Sequence, residues 1–224
     1  MVIKKLLYLS ASILIPAAIA YVLNPILVGA AVAPGLAYLI YVQRKEKIDR
    51  EPLYALALAF FLGFTAVTIA SIALEIVVQL GKVLDAVIVA PTVEETFKLV
   101  GVAVIAARIQ AFNETDDGIA YGAAVGLGFA TFEAIAYAYS STDPILVGAA
   151  RAISSTLLHA ATAALTGYAV AIRKFRHNPT LILPALTAAI ILHALHNFLA
   201  LELNILALII LDIVAFLGII RQLK

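Results

Sequence analysis

The chain has 224 residues, 64% of them hydrophobic and 13% charged, with a mean hydropathy of +1.06 and a formal net charge of +1. A soluble domain of this length needs more polar surface, and a near-neutral charge gives no basic face for nucleic acid. There is no cysteine, which excludes disulfides, thiolate-held clusters and a cysteine nucleophile.

Runs of about 18 or more apolar residues suffice to cross a hydrocarbon core of ~30 Å, so the composition specifies an all-α, polytopic membrane bundle. Eight spans are drawn, at about 5–23, 26–43, 53–80, 85–108, 118–140, 145–172, 180–200 and 203–220. The first, after Lys4 and Lys5, has the look of a signal peptide but is read as a retained helix, because the topology needs it. Basic residues cluster on alternate loops (Lys4/Lys5, 44–50, Arg108, Arg173/Lys174/Arg176, Arg221/Lys224), which places both termini in the cytoplasm. No repeat or second domain is visible, so residues 1–224 form a single integral membrane domain in the cell membrane, multi-pass. The run 44–51, RKEKIDRE, is read as a solvated loop near anionic lipid.

In the fifth span Gly118, Gly122 and Gly126 recur every four residues, a spacing that lets helix backbones approach closely. That span is therefore expected at the centre of the bundle, with Asp116 and Asp117 capping its start.

Ionisable residues at membrane depth mark functional sites or paired structural groups. Here they are Glu75, Glu94, Glu95, Lys98, Glu133, Arg151, His159, His193, His196 and Asp212. At ~1.5 Å per residue from the inferred outer ends, Glu94, Glu95, Glu133, His159 and His193 lie about 11–20 Å deep, so they can meet in one layer. Lys98 is three residues after Glu95 and four after Glu94, and can pair with either; that pairing accounts for one glutamate and leaves the other. Two imidazoles and a carboxylate can hold zinc with a position left for water, and a further glutamate can act as general base. A metal-free alternative has a glutamate activating water while His and Asn groups stabilise an oxyanion. Both point to hydrolysis. The HExxH signature is absent. Glu75, Asp212 and Arg151 are read as hydrogen-bonding or pairing groups.

The segments EETFK (94–98), DGIAYGAAVGLGFATFE (117–133), LLHAATAALTGY (157–168) and LHALHN (192–197) resemble, in order, the motifs of the PrsW family of intramembrane proteases. That family groups with the CAAX-prenyl proteases and bacteriocin-processing enzymes, and the resemblance covers about residues 91–197. It implies an intramembrane endopeptidase acting on a single-span, membrane-anchored protein, an anti-sigma factor in bacterial members. Glu94 and Glu95 match the paired catalytic glutamates, Glu133, His159 and His193 the positions for a divalent metal such as zinc, and Asn197 an oxyanion-assisting position. Lys98 stands where the CAAX relatives carry Arg, as a supporting partner, and His196 where an aromatic is expected. The alternative is a Glu/His-lined transporter for metal ions or protons.

Overall fold

The computed structural model describes residues 28–47 and 49–223. The first drawn span, with Lys4 and Lys5, and the terminal Lys224 lie outside the described residues. Every regular element among the described residues is helical.

After a π-helical turn at Val28–Val32, α1 runs over Ala33–Lys45, with Pro34 in its first turn, where a missing N–H costs nothing. A second long rod follows: α2 (Leu53–Leu62) passes through a π-helical turn, Gly63–Val67, into α3 (Thr68–Val77). Gly81, at φ 103°, makes the reversal that a residue with a side chain would resist. The chain then takes a short turn at Lys82–Leu84 and a π-helical turn at Asp85–Val89 before α4 (Ala90–Arg108). The remaining helices are α5 (Asp117–Tyr139), α6 (Pro144–Ile153), α7 (Ser155–Arg176), α8 (Ile182–Leu201) and α9 (Ile205–Ile220). Leu53–Val77, Asp117–Tyr139, Pro144–Arg176 and Ile182–Leu201 are long and apolar enough to cross a membrane. Large apolar side chains such as Ile76, Val77, Leu206 and Val214 face outward, as lipid contact requires.

The centre is α5 packed on α7. Cβ atoms added at Gly118, Gly122 and Gly126 would collide with the α7 backbone at Gly167, Ala163 and His159, so the glycine ladder sets this spacing. The expected central position of that helix is met: nearly all of Asp117–Ala138 is buried.

The drawn span 145–172 falls within Pro144–Arg176 and is bent at Ser154 (φ −126°, ψ −106°), between α6 and α7, where the hydroxyl bonds back to the Ala150 carbonyl at 2.8 Å. Two local expectations are corrected. The 44–51 run is not simply solvated, since Glu46 and Glu51 are only 1% and 2% exposed. Asp117 does not cap its own helix; its Oδ2 accepts the N–H groups of Asn113 and Glu114 and so closes the preceding loop.

Candidate active site

Four helices each deliver part of one polar cluster. From α4 come Glu94, Glu95 and Lys98, from α5 Phe129 and Glu133, from α7 His159, and from α8 His193, all but Glu133 buried. Helical spacing puts Lys98 beneath both glutamates. Its Nζ lies 2.7 Å from Glu95 Oε1 and 3.7 Å from Glu94 Oε2. The pairing expected from sequence therefore falls to Glu95. Lys98 Nζ also lies 2.7 Å from His159 Nδ1 and 4.5 Å from the centre of the Phe129 ring, a cation–π distance.

These contacts define the histidines. An ammonium group can only donate, so His159 Nδ1 accepts and its Nε2–H donates to Glu133 Oε2 at 2.7 Å. His193 Nδ1 lies 2.8 Å from Glu95 Oε1, a carboxylate that only accepts, which leaves His193 Nε2 turned toward Glu94 Oε2 at 3.9 Å. The two rings meet edge to face at 4.9 Å. Each imidazole is thus held by a carboxylate on one nitrogen, the arrangement that orients histidines around metals.

Glu94 Oε2 is buried without a hydrogen-bond partner, and it borders a cavity of about 430 Å³ that Glu133, Arg151, His159 and Asn197 also line. Glu95 is fully buried behind it. The adjacent glutamates therefore differ in kind: one faces the cavity, the other orders Lys98 and His193.

Single donor atoms of Glu94, His159 and His193 lie within 4.8 Å of one another, so the chain carries a possible Glu/His metal site. The orphaned Glu94 oxygen and the open Nε2 of His193 fit a divalent ion, which His159 can join only where Lys98 or Glu133 releases one of its ring nitrogens. Glu133, which sequence reasoning placed among the ligands, joins His159 to Arg151, whose Nη2 lies 2.6 Å from Glu133 Oε2. Asn197 borders the cavity with its amide donating to the Ala86 carbonyl at 2.7 Å, in the π-helical turn before α4. His196 also lines the cavity, but it is bonded to buried Asp212 at 3.0 Å and not to the histidine pair. Glu75, read from sequence only as a hydrogen-bonding group, lines the cavity with its buried Oε1 unpartnered. Sequence reasoning missed Tyr137, which packs under Arg151 at 4.2 Å one turn beyond Glu133, a spacing that could have revealed it.

The fold and this cluster define an integral membrane protein with a carboxylate–histidine centre built inside its helical bundle. The family described as PrsW family intramembrane metalloprotease matches residues 51–221, and the chain belongs to that family. Protease PrsW of Bacillus subtilis (strain 168) is 34% identical over 115 residues, 50% of this chain and 53% of the relative. Protease PrsW of Clostridioides difficile (strain 630) is 30% identical over 183 residues, covering 75% of this chain and 76% of the relative. That of Geobacillus kaustophilus (strain HTA426) is 31% identical over 153 residues, 66% and 67% of the two chains. The chain thus spans about half of the first relative and two thirds or more of the others. No solved structure matches.

Proposed function

We propose that the chain, as a single membrane domain of eight spans with both termini cytoplasmic, resides in the plasma membrane and hydrolyses a peptide bond of a single-span membrane protein. The observation that carries this reading is the orphaned, cavity-facing Glu94 carboxylate beside two imidazoles, each fixed by its own carboxylate. Glu94, His159 and His193 would hold a zinc ion, which supplies Lewis acidity toward the scissile carbonyl and the attacking water.

The chain's own groups divide the remaining work. Glu95 fixes His193 in one tautomer and holds the Lys98 side chain by its carboxylate. Glu133 borders the cavity and accepts the water proton, with Arg151 holding its carboxylate in position. The Asn197 amide, on the same wall, donates to the developing oxyanion once substrate displaces its bond to Ala86. Phe129 and the buried surroundings of Lys98 keep bulk water from the ion pair.

A second reading has a specific observation behind it. Lys98 already sets a cation against His159 Nδ1, and with that cation retained Glu94 would itself be the base in a metal-free reaction. Metal content and cleavage of a single-span substrate in proteoliposomes separate the two. In the first reading Glu94→Gln and His193→Ala lower metal content, whereas Glu133→Gln keeps the metal and loses turnover. In the second, purified active protein holds no stoichiometric metal and chelator leaves cleavage intact. A Glu/His-lined transporter is not favoured, since the family is one of proteases.

A further inference from the structure

Glu75 lines the cavity from α3, yet neither the fold nor the chemistry proposed above uses it. Its Oε1 is buried without a hydrogen-bond partner, and among the described residues no Lys, Arg or His forms an ion pair with it. The cations of the site are engaged elsewhere: Lys98 lies 2.7 Å from Glu95, and Arg151 2.6 Å from Glu133. A buried carboxylate oxygen with no donor is costly, so the fold maintains here an acceptor that only an incoming group can meet.

Glu75 also stands where two spaces join. With Ile72, Ala86 and Ala90 it lines both the catalytic cavity and an adjoining groove of about 430 Å³ between the end of α3 and the approach to α4. Beyond Glu75 the groove wall includes apolar Ile76, Val78 and Val89. Its basic residue, exposed Lys82, makes no ion pair, and its other carboxylate, Asp85, accepts the Leu80 N–H at 2.6 Å. Glu75 comes two residues before Val77, where the membrane-long rod Leu53–Val77 ends, so it lies ~3 Å along the axis from that end. A cation that reaches it along the groove stays close to the interface, where charge costs least. An apolar wall leading to one carboxylate suits a long basic side chain, whose stem packs on the wall while its head meets the oxygen.

We propose that Glu75 is a specificity-determining residue, which receives the Lys or Arg side chain of a substrate residue close to the scissile bond. The proposal rests on the reading of the chain as a protease of single-span proteins. Glu133 is matched by Arg151 and Glu95 by Lys98, and Glu94 belongs to the reacting centre, so Glu75 is the carboxylate of the cavity left for the substrate.

The test uses the full chain in proteoliposomes with a single-span reporter protein. One Lys is placed in turn at each position around the cleaved bond, with Met as its neutral counterpart. At one position wild type should cleave the Lys reporter with kcat/KM about tenfold or more above the Met reporter, the worth of a hydrogen bond to a charged group. Glu75→Gln should bring that ratio close to one, Glu75→Asp should keep part of it, and Glu75→Lys should instead favour a Glu at the same position. A cross-linking arm reads contact without turnover: carbodiimide should join the Lys amine of the uncut reporter to the Glu75 carboxyl, with net loss of water, in the Glu133→Gln variant. Equal cleavage of Lys and Met reporters by wild type at every position overturns the proposal, as does a preference that survives Glu75→Gln or the absence of the cross-link. Cleavage without a Lys preference would sink the subsite and leave proteolysis standing. A cross-link at Glu75 with no cleavage by wild type would sink proteolysis and leave the subsite standing.

Discussion

Gly126 tests whether the spacing of α5 and α7 governs the chemistry. A methyl carbon there would lie 2.7 Å from the carbonyl carbon of His159, against an ordinary contact distance of 3.4 Å, so the helices must part by at least about 0.7 Å. A Cβ added at Gly118 or Gly122 would likewise come within 2.8 Å of carbons of α7, so there is no slack along the ladder. Backbone, unlike a side-chain tip, cannot swing aside. Overpacking of this kind costs about 1–3 kcal/mol. The displacement also carries His159 from Glu133 and Lys98, each now at 2.7 Å, beyond good hydrogen-bond geometry. Misplacement approaching 1 Å at a reacting group costs on the order of 10²-fold in rate. Gly126→Ala is therefore expected to lose cleavage by about one to two orders of magnitude while remaining folded. The assay is cleavage of a single-span substrate in proteoliposomes, with unfolding in detergent followed in parallel. Gly218→Ala, where an added Cβ meets nothing within 4 Å, is the control and should match wild type. Wild-type cleavage by Gly126→Ala would refute the link between the ladder and the site.

Lys98 and Glu95, both 0% exposed, form a buried pair, so Lys98→Met should destabilise by about 3–5 kcal/mol by stranding a charge. Lys98→Met with Glu95→Gln should recover much of that stability without recovering cleavage; equilibrium unfolding of the two variants in detergent checks both. Asp212→Asn weakens the bond to His196 and is expected to cost about 1–3 kcal/mol of stability with cleavage retained, read by unfolding and turnover together. Arg151→Ala removes the partner at 2.6 Å from Glu133; turnover should fall at unchanged metal content, measured by metal analysis of the purified variant.

Much of the architecture was legible because its cause is local. Apolar run length alone identifies a membrane bundle, since backbone polar groups in lipid must pair within helices. The four-residue repeat of Gly118, Gly122 and Gly126 announced a close helix contact, and the i,i+3 and i,i+4 spacings placed Lys98 beside both glutamates. The motif residues of four separate helices pointed to one centre, and Glu94, Glu95, Glu133, His159 and His193 do meet there.

What tertiary structure alone decided is how adjacent residues part company. Glu94 and Glu95 are equivalent in sequence, but about 100° of helical turn separates them, and only the packing of α7 and α8 shows which one that rotation leaves at the cavity. The partners of His159 and Glu133 depend on α6 ending at Ser154, which brings Arg151 to Glu133. Glu46 and Glu51 look like a charged loop in sequence; only the fold reveals that they are buried beside Asp117, because long-range contacts, not composition, determine which charges lose their water.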